Sequence, residues 1–223
     1  MKHFAKVIAA GVGLGIVLAV IQNGLQIEKN TFLRGYFIAG ALIIAGIVLV
    51  NVLYHGRYRK EMQKAAVLLE EGKTGEYVAA VEELLRRAKG KQLRNLLELN
   101  LSAGYCDLKQ YDRAIALLEK LAHERLSGVV KMVHRLNLCV CYFYTGQNAK
   151  AMEVYRDSQK DFAPFKKSPA YGGNLAVLEM LADMERGETE QAAALLKEAR
   201  ETWNYPRLQE DYRKIEARLE EME

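Results

Sequence analysis

The sequence contains few residues that could build a reactive or cross-linked site. Three cysteines, Cys106, Cys139 and Cys141, are an odd number without the spacing of a disulfide framework, so we expect reduced thiols in a reducing compartment. Cys139 and Cys141 lie two residues apart in a predicted helix, where their side chains point in different directions and make a poor metal site. The four histidines are scattered singly, and no nucleophile–base or paired-carboxylate arrangement stands out. The sequence therefore predicts no enzyme activity, metal or cofactor.

Acidic residues are almost missing from the first 60 positions. This segment holds seven Lys/Arg and the single acid Glu28, whereas residues 61–223 hold 25 Lys/Arg and 27 Asp/Glu. The net charge of +4 therefore belongs to the flanks of two N-terminal hydrophobic segments and does not form a basic binding surface. This distribution argues against nucleic-acid binding.

The two hydrophobic segments predict a transmembrane hairpin. Val7–Ile21 is short for a bilayer but extends at both ends, and Gly35–Tyr54 has twenty residues interrupted only by Asn51. Twenty residues of helix span about 30 Å, the thickness of a bilayer core. We expect helices at about 4–27 and 33–55, within a membrane domain of residues 1–56. A secretory signal is the alternative, because Lys2 and Lys6 precede an apolar core, but no small-x-small cleavage site follows.

Positive charge flanks both outer ends of the hairpin. Lys2 and Lys6 precede the first segment, and Arg57, Arg59 and Lys60 follow the second. The positive-inside bias then predicts an integral protein, expected in the cell membrane, with both termini and the C-terminal domain in the cytoplasm.

Small residues lie four apart on both apolar segments. Gly11 and Gly15 on the first segment and Ala41 and Ala45 on the second would let the two membrane helices approach closely. Packing of the hairpin against itself is one interpretation, and association with a partner's membrane helix is the other. The glycines lie inside an apolar helix, so they do not fit a nucleotide-binding turn.

The stretch from Leu101 to Leu121 predicts two short helices joined by a turn. Ser102 and Tyr105 lie about one turn apart on the first helix, and Ala114 opens the second after a polar turn at Lys109. Small residues are typical of close helix crossings. Similar patterns place alanines at positions 80, 114, 151 and 192, with spacings that lengthen along the chain, and turns near Gly75, Lys109, Gly146 and Gly187.

This order of residues resembles the tetratricopeptide repeat (TPR) family, with Lys109 where that family usually has glycine. The resemblance covers roughly Arg57 to Tyr205 and implies stacked helical hairpins, a period of about 34 residues and a concave groove that binds protein partners. By resemblance, the groove should be lined by Leu96, Leu99, Ala103, Val133, Leu136, Val140, Phe143, Val177 and Leu181. The chaperone-binding subclass of the family has charged and amide side chains there, so this apolar set argues against a carboxylate clamp.

The stretch from Val129 to Tyr144 is apolar on almost all sides. Such a helix is either enclosed by superhelical packing or has another partner. Three interpretations stay open: complete enclosure, coverage of the groove by the last helix of the chain, or a groove that receives an apolar helix from a partner.

The end of the chain predicts a break and then a cap. Residues 161–169 contain two prolines and predict a loop, and Pro206 ends the last hairpin. A narrow apolar stripe follows, which predicts a capping helix at about 206–222. A coiled-coil contact with a second copy is the alternative. The apolar residues of the stripe are Leu208, Tyr212, Ile215, Leu219 and Met222.

The sequence therefore predicts an all-α protein with an N-terminal two-helix transmembrane hairpin. A TPR-like α-solenoid of about four helical hairpins and a C-terminal capping helix follow, in residues 57–223. The expected function is a non-enzymatic, membrane-tethered scaffold or adaptor that binds a protein partner. The alternative is an accessory subunit of a transport, secretion or envelope-assembly complex that contacts its partners through the membrane hairpin.

Overall fold

A computed structural model describes residues 13, 15–18, 20–22, 24 and 28–222. Within these residues the chain is helical and contains no strand, which confirms the predicted all-α class. The chain divides into two compact units, Met1–Lys60 and Glu61–Glu223. We number the helices α1 to α10 from Lys29 onwards.

Helix α1 is long and apolar along its first half. It runs from Lys29 to Glu70, 42 residues without a proline, and its large apolar side chains between Leu33 and Leu53 are exposed. In the part of the chain that the structure describes, this is the one helix long and apolar enough to cross a membrane. The predicted helix at 33–55 lies inside α1, which continues well beyond it.

The first predicted membrane helix, at about 4–27, lies largely outside the described residues. Its described members, at positions 13, 15–18, 20–22 and 24, are helical. The antiparallel pairing of two membrane helices therefore stays a prediction.

The second unit is built from short helices joined by brief turns. Two 3₁₀ turns, Ala163–Phe165 and Pro206–Leu208, contain prolines near their starts. The helices are α2 (Thr74–Arg87), α3 (Lys91–Asp107), α4 (Tyr111–Ala122), α5 (Gly128–Tyr144), α6 (Asn148–Asp157), α7 (Gln159–Phe162), α8 (Gly172–Glu185), α9 (Thr189–Thr202) and α10 (Gln209–Glu220).

The packing order follows the chain. From α2 to α6 each helix packs against the next, as do α8 and α9, and α9 and α10. In addition α3 contacts α5, and α5 contacts α8, so these three helices form one layer. Alanines 114, 151 and 192 lie near the starts of α4, α6 and α9, and all three are fully buried, as the small-residue pattern predicts.

Four turns between helices have the same backbone geometry. In each turn, a residue with a left-handed conformation follows the helix that precedes the turn, which is α1, α3, α5 or α8. These residues are Gly72 (φ 74°), Lys109 (φ 60°), Gly146 (φ 72°) and Gly187 (φ 77°). In each turn, the N–H of the next residue donates to the carbonyl five positions earlier, at 2.8–2.9 Å. This is the Schellman arrangement, which satisfies the free carbonyls at a helix end. The four donor–acceptor pairs are Lys73 to Leu68, Gln110 to Tyr105, Gln147 to Tyr142 and Glu188 to Asp183.

The positions of the left-handed residues correct the predicted location of the first turn and of its following small residue. Ala114, Ala151 and Ala192 each lie five residues after the left-handed residue, and at the first turn that position is Tyr77, not Ala80. Gly75, expected in the turn, lies in the first turn of α2. The first interval, from Gly72 to Lys109, therefore equals the second, from Lys109 to Gly146, whereas the alanine pattern made it shorter.

The segment at residues 161–169 is less irregular than expected. Asp161 and Phe162 end the short helix α7, and Ala163–Phe165 continue as a 3₁₀ turn. Phe162 is buried beside Tyr155, with 6.4 Å between the ring centroids, so this apolar contact orders a segment that its prolines predict as loop. The predicted cap at 206–222 is present as the second 3₁₀ turn followed by α10.

Candidate interaction surface

The repeated turns define equivalent positions on the helices of the α3–α5–α8 layer. On α3 and α5, the residues 13, 9, 6 and 2 positions before the left-handed residue are exposed or half-buried. Their spacing of three to four residues places them on one helix face. We call these eight residues the inner stripe: Leu96, Asn100, Ala103 and Asp107 on α3, and Val133, Asn137, Val140 and Tyr144 on α5.

The predicted groove residues divide into two groups. Leu96, Ala103, Val133 and Val140 belong to the inner stripe, and Leu96 is the most accessible, with 43% of its surface exposed. The other five are at most 4% exposed and pack within the layer. The buried group consists of Leu99, Leu136, Phe143, Val177 and Leu181.

Position explains this division. The residue ten positions before the turn is Leu99 on α3, Leu136 on α5 and Val177 on α8, and it is buried in all three helices. This position is therefore part of the buried side of each helix and does not belong to the accessible stripe. A family resemblance names the helix that lines a groove but does not fix which side chains point into it.

The equivalent positions on α8 are only partly accessible. Leu178 and Leu181 are 0% and 3% exposed, whereas Asn174 is half-buried and Glu185 is exposed. Helix α10 packs against α8 and α9, with Tyr212, Ile215 and Leu219 buried and Met222 beyond its end exposed. Coverage of the groove by the last helix, one of the three interpretations left open by the sequence, stays a prediction.

The first turn of α10 also contacts α5 and the turn between α3 and α4. Tyr144 donates its hydroxyl to Oδ1 of Asp211 at 2.7 Å, and Lys109 pairs with Glu210 at 2.6 Å. The ring of Tyr111 lies 5.3 Å from that of Tyr144. These contacts place the start of α10 over the C-terminal end of α5.

Burial governs the protonation of this contact. Desolvation raises the pKa of the Asp211 carboxyl, and the hydrogen bond from Tyr144 and the charge of Lys214 oppose that shift. Burial and the neighbouring Asp211 raise the pKa of Tyr144, so its hydroxyl keeps the proton and acts as the donor. For the same reasons the pKa of Tyr111 rises to about 12, first through burial and then through Asp211.

Ion pairs and hydrogen bonds hold the rest of α10. Arg200 on α9 makes two hydrogen bonds of 2.7 Å to Glu216, which is the paired geometry that guanidinium and carboxylate groups favour. Arg218 lies 3.9 Å from Glu185 at the end of α8. The hydroxyl of buried Tyr212 donates to backbone carbonyls of α9 and its C-terminal end, including that of Trp203 at 3.2 Å.

Two amides in the inner stripe were missed by the sequence analysis. Asn100 and Asn137 lie at equivalent positions, one repeat interval apart, which the chain reveals once the turns are aligned. Asn100 donates its amide to the Leu96 carbonyl at 2.8 Å, whereas the buried Nδ2 of Asn137 has no hydrogen-bond partner among the residues that the structure describes. The stripe thus combines apolar side chains with amide groups, the carboxylate of Asp107 and the phenol of Tyr144.

The expected membrane-packing residues are exposed where the structure describes them. Ala41 and Ala45 are exposed on α1, and a side chain at Gly15 would meet no atom within 4 Å. Gly11 lies outside the described residues. Across residues 13, 15–18, 20–22, 24 and 28–222, no group of three His, Cys, Asp or Glu side chains could hold a metal ion.

No protein family, curated protein or solved structure matches this chain.

Proposed function

We propose that this protein is a non-enzymatic, membrane-tethered interaction module whose second unit is a TPR-like helical solenoid. The observation that carries the proposal is the fourfold repetition of one turn geometry, at two equal intervals and a third that is slightly longer. Equivalent turns are expected when one helical hairpin is repeated and stacked, because each hairpin must bury its apolar faces against its neighbours.

The exposed apolar surface of α1 supports the membrane tether. The large apolar side chains from Tyr36 to Leu53 are exposed, a surface far larger than a soluble monomer leaves in water. A bilayer removes this surface from water without a protein partner. We place the repeat unit on the cytoplasmic side because of the positive flanks.

The inner stripe is the proposed binding surface. Leu96, Ala103, Val133 and Val140 offer apolar contacts, and half-buried Asn100 and Asn137 lie among them. An apolar or amphipathic helix of a partner protein fits this composition. Tethering would raise the effective concentration of a partner that lies in the same membrane.

The test is capture of partners by the full chain from solubilised membranes. Leu96→Glu and Val140→Asp place charge on the accessible stripe, where water can still reach it, so the fold should be retained. Ala116→Glu, at an exposed position on α4 outside the stripe, is the matched control. We expect the two stripe variants to lose a protein that both wild type and the Ala116→Glu control retain, with thermal melts close to that of wild type.

Two outcomes would contradict the proposal. Collapse of the melts of both stripe variants would show that these residues fill the interior. Retained capture in the stripe variants, with loss in Gly15→Leu, would instead favour the accessory-subunit alternative, in which the membrane segment makes the specific contacts.

A further inference from the structure

Two cysteines on neighbouring helices of the α3–α5–α8 layer face each other. Cys106 lies near the end of α3 and Cys141 near the end of α5, and their Sγ atoms are 2.6 Å apart. The third cysteine, Cys139, is fully buried on α5, two residues before Cys141. Because residues two apart on a helix point in different directions, Cys139 does not share this contact.

The geometry is close to that of a covalent bond. A disulfide bond has an S–S length of about 2.05 Å, so the two sulfurs need to approach by only about half an ångström. Helices α3 and α5 already pack against each other, and the side chains already point together. We propose that Cys106 and Cys141 form a reversible disulfide that joins α3 to α5.

Formation requires an oxidant, which we identify by class as a low-molecular-weight disulfide such as oxidised glutathione. The Cys106 thiolate attacks one sulfur of the oxidant, forming a mixed disulfide and releasing one thiol. The Cys141 thiolate then attacks the Cys106 sulfur, forming the Cys106–Cys141 bond and releasing the second thiol. The protein loses two protons and two electrons, and the oxidant is reduced to two thiols.

The solvent accessibility of the two thiols determines which one reacts first with the oxidant. Cys106 is half-buried and can meet a small oxidant, whereas Cys141 is fully buried. The hydrogen bond with Cys141 and burial both raise the pKa of Cys106, so its thiolate is scarce at neutral pH and exchange is slow. Disulfide formation is therefore slow and needs sustained exposure to the oxidant.

The bond would act on the inner stripe. Cys106 lies between Ala103 and Asp107, and Cys141 follows Val140 directly, so a covalent link fixes the α3 half of the stripe against the α5 half. The bond itself does not depend on the proposed binding function; its effect on partner capture does.

The experiment incubates the folded full chain in detergent with mixtures of reduced and oxidised glutathione for hours. Free thiols are then alkylated, and the peptides are identified by mass spectrometry. We expect a Cys106–Cys141 peptide pair, two hydrogen masses lighter than the reduced pair, that dithiothreitol reverses. Wild type and Cys139→Ala should show this pair and a rise of several degrees in melting temperature on oxidation, because the link constrains the unfolded chain.

Cys106→Ser is the matched negative variant. It replaces the half-buried member of the pair, so it should fold like wild type and show no oxidation-dependent rise in melting temperature. The proposal is overturned if Cys106 and Cys141 are still free thiols after prolonged oxidation of the folded protein, as shown by alkylation of both when the protein is then denatured in the alkylating agent. A link that includes Cys139, or a melting temperature that rises equally in Cys106→Ser, overturns it as well.

Discussion

The hydroxyl of Tyr144 at the end of α5 donates a hydrogen bond of 2.7 Å to Asp211, 67 residues later, on the last helix. Tyr144 belongs to the inner stripe, so this bond ties α10 to the surface that we propose binds a partner. The chain's own last helix therefore contacts one end of the proposed binding surface.

Tyr144→Phe removes this bond and keeps the ring beside Tyr111. Because the Asp211 carboxylate would lose its donor while still partly desolvated, we expect a loss of about 1–3 kcal/mol of unfolding free energy at pH 7. The pKa of Asp211 is already raised by burial, so the deficit should shrink as pH falls through that pKa and the carboxyl becomes neutral. Urea unfolding at pH 7 and pH 5 measures this. In an Asp211→Asn background the pH dependence of the Tyr144→Phe effect should vanish, and its persistence would contradict the assignment.

Lys109 is the one non-glycine residue with a positive φ among the described residues. A side chain in the left-handed region costs about 1–2 kcal/mol relative to glycine. Lys109→Gly and Lys109→Ala both lose the exposed pair with Glu210, so their difference isolates the backbone cost. We expect Lys109→Gly to be more stable than Lys109→Ala by about 1 kcal/mol in chemical denaturation. Gly146→Ala should lose a similar amount, and equal stability of the two Lys109 variants would exclude this backbone geometry.

His134 is buried, and its Nε2 lies 2.7 Å from the carbonyl of Leu118. Desolvation lowers its pKa below the ordinary 6.5, although the hydrogen bond to Leu118 opposes the shift. Because the unfolded chain binds a proton more readily, the stability associated with neutral His134 is present above pH 6.5 and is lost as pH falls from there through the folded pKa. The maximum slope for one proton is about 1.4 kcal/mol per pH unit.

His134→Gln removes this titration and keeps an amide that can donate to Leu118. Unfolding free energies between pH 7 and pH 5 should therefore fall less steeply for His134→Gln than for wild type. His123→Gln, at an exposed position, should follow wild type. Parallel pH profiles for His134→Gln and wild type would mean that His134 does not carry this dependence.

Gly104 lies at a close crossing of α2 and α3. A Cβ built there would lie 2.7 Å from Cγ2 of Val78 and 2.9 Å from a ring carbon of Tyr77. We expect Gly104→Ala to lose about 1–3 kcal/mol through overpacking, and Ala114→Leu to lose a similar amount. Gly75→Ala is the control, because nothing lies within 4 Å of its added methyl group and its φ is not positive. Thermal melts in which Gly104→Ala and Gly75→Ala are equally stable would contradict the close crossing.

The topology prediction concerns the two termini. The positive flanks predict that the N-terminus and the repeat unit both lie in the cytoplasm. A C-terminal reporter that is active only in the cytoplasm should therefore be active. Protease digestion of the C-terminal unit from the outer face of intact cells would reverse this topology.

The sequence predicted the repeated hairpins because small and turn-forming residues recur at fixed places. Gly146, Gly187, Ala151 and Ala192 lie where the repeat pattern expects them. The first turn was predicted three residues too late, at Gly75 and not at Gly72. Gly75 and Ala80 have the same five-residue spacing as the glycine and alanine of the later turns. A pattern of residue types cannot choose between two nearby glycines, whereas the backbone can, since only Gly72 has a positive φ.

The candidate surface was less predictable than the fold. Helical spacing alone leaves Leu99 and Ala103 on neighbouring parts of one face, and only the packing of α3 against its neighbouring helices decides that Leu99 is buried. The packing of α10 against α8 depends on contacts between residues far apart in sequence. The amides Asn100 and Asn137 escaped notice because their equivalence appears only after the turns are aligned.

The equal intervals from Gly72 to Lys109 and from Lys109 to Gly146 have a consequence for how this chain can change in length. Residues 110–146 begin immediately after one left-handed residue and end on the next, so their removal joins two backbones that already have the same conformation. The flanking residues Gln110 and Gln147 even share their dihedral angles, with φ of −87° and −85° and ψ of 57° and 50°. Removal or duplication of residues 110–146 needs no new connecting turn. The chain can therefore lose or gain one complete helical repeat.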